Sequence, residues 1–161
     1  MKNATESSSA ELERSITSVE TAYMAIQYMT LEIVNKIEFS WGRLDKDGVI
    51  SGLHGISNAI NVLNKYVSDV EEISSRMTHE THVEFQSITN EINAKLANMR
   101  SLTALDQGEI SGFDIDEALG NSGEFTESER YIAKVIFYNQ RLVELRAMIV
   151  PLGGLVKTLR R

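Results

Sequence analysis

Three observations predict an all-α chain folded as an antiparallel helical bundle. From Tyr131 to Val156 the apolar residues fall on alternating steps of four and three: Tyr131, Val135, Tyr138, Leu142, Leu145, Ile149, Leu152 and Val156. This seven-residue repeat keeps one stripe of a helix against a partner helix. The spacing returns at Leu12, Ile16, Val19, Tyr23, Ile26, Thr30, Ile33 and Ile37, and again from Val49 through Leu53, Ile56, Ile60, Leu63, Val67, Val70 and Ser74 to Met77. The 161 residues also contain a single Pro, the costliest residue inside a helix. Their 42% apolar and 24% charged residues suit a packed core. The predicted bundle has about three to five helices, two or three of them long and heptad-patterned in the manner of a coiled coil. Residues 1–8 read as a flexible N-terminus and 9–161 as one helical bundle domain.

The first helix is predicted over Ser9–Phe39. Ser9 reads as a cap ahead of Glu11 and Glu13, acids that suit the positive end of the dipole. Tyr23, Met24, Ile26, Tyr28, Met29 and Leu31 widen its apolar face, so it touches more than one neighbour. Gly42 supplies a left-handed cap after Phe39-Ser40-Trp41. Asp45-Lys46-Asp47-Gly48 resembles half a calcium loop. Aligning its glycine, however, puts Arg43 and His54 where two acidic ligands belong, so Asp47-Gly48 reads as turn chemistry.

A second helix is predicted from Val49 through Met77. Gly52 and Gly55 mark either a close approach to another helix or a start nearer Ser57. Phe85, Ile88, Ile92, Leu96, Met99 and Leu102 form a displaced stripe. A stutter through Thr78–His82 joins the two stripes as one long, bent helix, whereas a turn at Thr78–Thr81 would make two. Asp106–Thr126, punctuated by Gly108, Gly112, Gly120 and Gly123, is predicted as the least helical stretch, with Asp114–Leu119 as one short turn. Thr126-Glu127-Ser128-Glu129 reads as a capping box opening the last helix. Pro151 and Gly153-Gly154 predict a kink or short break near its end.

Chemical constellations are weak. His79 and His82 share a helix face, but neither has a Glu three positions before it, as a bundle metal site needs. They read as solvated residues at a helix bend, and His54 stands alone. Asp114, Asp116 and Glu117 read as a solvated acidic turn rather than an acid–base pair. Phosphate-cradling and nucleophile-elbow motifs are absent, which argues against an enzyme. The reading assigns no catalytic residue, no cofactor and no metal. With no Cys, disulfide and thiolate chemistry are excluded. A net charge of −7 disfavours nucleic acid. The basic tail Lys157, Arg160 and Arg161 complements a helix dipole rather than marking a membrane or partner contact. Neither a transmembrane run nor a signal-peptide core is visible, so the chain reads as cytoplasmic or as secreted without a cleaved signal. The Ser-rich start reads as a frayed terminus, and the same composition fits an uncleaved export signal.

The stretch Ile110-Ser111-Gly112-Phe113-Asp114-Ile115-Asp116, followed by Gly120 to Gly123, Glu124 and Phe125, resembles a segment of the type III secretion translocator-filament proteins of enteric bacteria. The polar Ser-rich start and the Tyr23-Met24 and Tyr28-Met29 pairs are also similar. The chain departs from that family in its long middle helix and its shorter last one. The resemblance implies a secreted, self-associating subunit kept soluble by a chaperone that grips its helices.

These readings converge on an interaction protein. Its expected partner is a second copy or another protein's helix, met along the stripe Tyr131, Val135, Tyr138, Leu142, Leu145 and Ile149. Tyr131 and Tyr138 either fill the core or sit on a seam completed by another subunit. The alternative is a ligand-sensing or adaptor bundle without catalysis.

Overall fold

The computed structural model describes residues 4–120 and 123–160, with side chains from Ser7 onward. Among these residues the structure is helical, without strands: α1 (Ala4–Glu38), α2 (Lys46–Ser75), α3 (His79–Gly112), α4 (Ile115–Leu119) and α5 (Glu127–Thr158). The four long helices form a ring in which α1 touches α2 and α5, and α3 touches α2 and α5. Each runs roughly 45–53 Å at 1.5 Å per residue.

Side-chain bonds fix the direction of every pair. Arg76 at the end of α2 meets Glu11 near the start of α1, at 3.2 Å. Lys46 at the start of α2 donates to the carbonyls of Ser111 and Phe113 at the end of α3. Arg141 in the first half of α5 meets Glu109 late in α3, at 3.1 Å. Arg160 after α5 reaches Glu13, Thr17 and Glu20 in α1. The molecule is an up-down-up-down bundle, as the heptads and short connections require. Its core is one contiguous cluster that all four long helices feed, including Val19, Ile26, Ile56, Leu63, Ile92, Leu96, Leu145 and Leu152.

Several boundaries differ from expectation. Helix α1 already runs at Ala4, so Ser9 lies within it rather than capping it. Ser8 is buried one turn before Leu12 and prolongs the same face. Residues 1–3 of the expected flexible start, and Arg161 of the basic tail, lie outside the described residues. Helix α2 begins at Lys46, which places Asp47-Gly48 in its first turn rather than in a loop.

The stretch 49–104 is two helices, not one bent helix. The α2 chain ends as the Arg76 and Met77 amides fold back onto the carbonyls of Ile73 and Ser74. Thr78, in extended conformation, caps α3 by accepting from the Thr81 amide. Helix α3 then continues to Gly112, through the stretch expected to be least helical, because Met99, Thr103, Asp106 and Ile110 keep one face buried. Asp114–Leu119 does make a short turn: Asp114 caps α4 by accepting from the Asp116 and Glu117 amides. The Thr126–Glu129 capping box is present in both directions.

Neither a break nor an end occurs at Pro151, which sits inside α5. A helix-interior Pro costs about 3 kcal/mol. Its ring faces solvent, and Leu152, Val156 and Leu159 beyond it are buried. Each buried apolar side chain contributes about 1.5–3 kcal/mol, enough to offset the Pro.

Candidate interaction surface

The expected contact stripe of α5 is largely consumed by the bundle itself. Tyr138, Leu142, Leu145 and Ile149 are buried among the chain's own helices, and Tyr131 and Val135 are half-buried. Phe113 stacks on Phe137 with centroids 3.8 Å apart, and both meet the Tyr138 ring edge-on. Burial and the negative charges of Asp45 and Asp47 push the Tyr138 hydroxyl above its ordinary pKa. Tyr131 pairs its hydroxyl with that of Ser40 in a short hydrogen bond that ties the start of α5 to the end of α1. The heptads therefore close within one chain.

A second apolar stripe is left uncovered beside that seam. On α1, Met24, Tyr28 and Leu31 are 63%, 67% and 59% exposed. On α5, Ile136, Val143 and Val150 stand seven apart and are also exposed, with Ile132 four residues earlier. A seven-residue step returns to nearly the same side of a helix. The α1 stripe meets Val150 of the α5 stripe across the α1–α5 junction in a groove of about 470 Å³, lined by Met24, Gln27, Tyr28, Thr30, Leu31, Val34, Arg146, Ile149 and Val150. Arg146 is the charged residue in that lining, and it makes no ion pair with any described residue.

Three ties hold the walls of the groove. Tyr23 donates its hydroxyl to the Ile149 carbonyl at 2.9 Å, and burial raises its pKa. Its ring lies on Gly153, where a Cβ would stand 2.6 Å from the ring carbon Cζ. Arg160 clasps Glu13 and Glu20 at one end and holds the Glu20 carboxyl below its ordinary pKa. The Ser40–Tyr131 bond closes the other end. Gly52 serves the α1–α2 junction in the same way, with a notional Cβ 2.6 Å from Ile33 Cγ1.

The remaining titratable clusters have structural partners. His82 Nδ1 lies 3.2 Å from Ser74 Oγ at the α2–α3 corner, whereas His79 and His54 face solvent. Asp116 is paired with Arg130, which also donates to the Gly120 carbonyl. Among the described residues, no three His, Asp or Glu side chains are grouped to hold a metal ion. None of their helices is long and apolar enough to cross a membrane.

The α5 half of the uncovered stripe escaped the sequence reading because the buried seam beside it is stronger. The signal was present in the seven-residue spacing of Ile136, Val143 and Val150, offset by one from the core positions Leu142 and Ile149. Comparison with protein-family models, curated proteins and solved structures finds no match to this chain.

Proposed function

We propose that this protein is a non-catalytic interaction module whose α1–α5 face receives a helix from a second copy or from a partner protein. The observation that carries the reading is the uncovered apolar stripe Met24, Tyr28, Leu31, Ile136, Val143 and Val150 on a bundle whose core is otherwise closed. Contiguous exposed apolar patches on soluble bundles mark docking surfaces. Helix-in-groove docking reads such a stripe through residues spaced three, four and seven apart. The segment similar to translocator-filament subunits, whose Ile110–Asp116 part spans the end of α3 and the start of α4, extends the proposal. On that reading the partner is another subunit of a bacterial secretion assembly with a role in virulence, or the chaperone that keeps such a subunit soluble.

The test compares two exposed-stripe variants, Tyr28→Lys and Val150→Lys, with the unmodified chain. Light scattering across a dilution series gives the mass, and pull-down with the products of neighbouring genes reports a partner. The expected result is association that both substitutions abolish while helix content and Tm stay unchanged. A wild-type monomer at every concentration that captures no partner overturns the proposal.

A second reading rests on the same groove. Its volume lies in the range of small-molecule sites, and Arg146 beside apolar walls suits an anionic amphiphile. A monomer whose Tm rises with such a compound, and loses that rise in Arg146→Ala, would favour it.

A further inference from the structure

The α3 seam holds one group that the docking surface does not use. Asp106 falls in the register Phe85, Thr89, Ile92, Leu96, Met99, Thr103, Asp106, Ile110, where every position faces the bundle interior or its margin. It is 3% exposed, and its Oδ2 has no hydrogen-bond partner. The neighbouring seam hydroxyls differ: Thr103 donates to the Met99 carbonyl and Thr89 to that of Gln86. A carboxylate only accepts, so burying Oδ2 with no donor or cation beside it disfavours the charged form. The carboxylic acid carries no charge and brings its own O–H donor.

The charges around Asp106 do not relieve it. Glu109 acts from its own helix, and Arg141 and Glu144 act from α5. Arg141 is engaged with Glu109, so the surroundings remain net negative. From α2, Lys46 is occupied by the Ser111 and Phe113 carbonyls, and Asp45, Asp47 and His54 lie on the exposed side. The backbones of α1 and α3 do not approach each other, and the groove they share, lined by Leu12, Glu13, Ile16, Glu84, Phe85 and Ile88, lies at the opposite end of α3 from Asp106.

We propose that Asp106 is a proton-operated latch of the α3–α5 seam: the seam closes on the carboxylic acid and loosens around the carboxylate. Burial is the main reason its pKa is pushed up to about 7, with Glu109 raising it further, Arg141 opposing and Glu144 again raising it. The folded value lies above the ordinary 3.8, so the native state holds the extra proton between the two. The latch's contribution is complete below the ordinary value and is lost as pH rises through about 7.

The experiment has two readouts on the full chain. A carbon-13 carboxyl NMR titration of the unmodified protein gives the Asp106 midpoint directly and needs no variant. Thermal melts of wild type and Asp106→Asn between about pH 5 and about pH 8.5 give the linkage. The proposal expects a midpoint near neutrality. It also expects a wild-type Tm that falls by several degrees from about pH 5 toward that midpoint and levels off above it, a slope that Asp106→Asn lacks, with faster amide exchange in the facing parts of α3 and α5 once the carboxylate forms. An Asp106 that titrates in the ordinary carboxylate range, or identical pH dependence in the two proteins, overturns it. If Asp106→Asn fails to fold, the titration of the unmodified chain decides alone.

Discussion

At the scale of single residues, Gly153 and Gly154 make a controlled pair. Both lie in α5, where replacing Gly by Ala ordinarily gains about 1 kcal/mol. Around Gly154 a Cβ meets nothing within 4 Å, whereas at Gly153 it runs into the Tyr23 ring. Gly154→Ala is therefore expected to raise the urea midpoint. Gly153→Ala is expected to lower stability by about 1–3 kcal/mol, the usual cost of overpacking. Denaturant melts of the two variants check the sign. The sequence reading left Gly52 open between a close approach and a later helix start, and took Pro151 with Gly153-Gly154 as a kink or short break, because a glycine pair after Pro looks the same whether it interrupts a helix or admits a tyrosine. Asp106 was illegible for a related reason. A carboxylate near two glycines reads as loop chemistry until the buried neighbours Thr103 and Ile110 show that it belongs to a seam.

At the scale of elements, the capping devices and the seam carry separable energies. Thr78→Ala and Thr126→Ala each remove an N-cap hydrogen bond and are expected to cost about 1 kcal/mol. Leu142→Ala opens a cavity in the core and is expected to cost about 2–5 kcal/mol. Its neighbour Val143, which is 56% exposed, is expected to tolerate Ala within about 0.5 kcal/mol. Chemical denaturation of this pair tests whether the buried stripe and the open stripe are as distinct as their burial. The heptads, the capping box and the short α4 turn were legible because each is a local pattern with a local cause. The α2–α3 corner was legible only as the alternative, a turn at Thr78–Thr81. No Gly or Pro announces it, and the helix ends there because α3 must return along α2 to cover the Ile56–Val70 face. The continuation of α3 through Gly108 was hidden likewise, since Ile110 anchors it only once α5 is in place.

At the scale of the whole molecule, two carboxyls of opposite behaviour shape the pH profile. Glu20 is held below its ordinary 4.5 by the Arg160 guanidinium. Its contribution is present above that value and fades as pH falls through the depressed one. Asp106 acts in the other direction, losing its contribution as pH rises through about 7. Between the ordinary 3.8 and about 7 the folded chain holds an Asp106 proton that the unfolded chain has released, so Tm is expected to be highest near about pH 4, to fall toward about pH 7 and to level off above it, and melts across the range from acid to alkaline check it. Arg160→Ala should flatten the acid side alone, and added salt should do the same, because that clasp is surface-exposed. The core is one cluster fed by all four long helices, so unfolding is expected in a single cooperative step. Ring closure between α1 and α5, the helix pairing most distant in sequence, contributes to that cooperativity.

The corner between α1 and α2 gives the molecule a built-in optical probe. Trp41, the chain's single tryptophan, stands at a positive φ of 52° and is 86% exposed, next to the Ser40–Tyr131 tie. Its indole is bathed in water whether the bundle is folded or not. Emission should therefore hardly move during denaturation, and fluorescence would make a poor unfolding assay. The same wetness turns it into a sensor of cover: any body that settles over this end of α1 and α5 dries the ring and shifts its light to the blue.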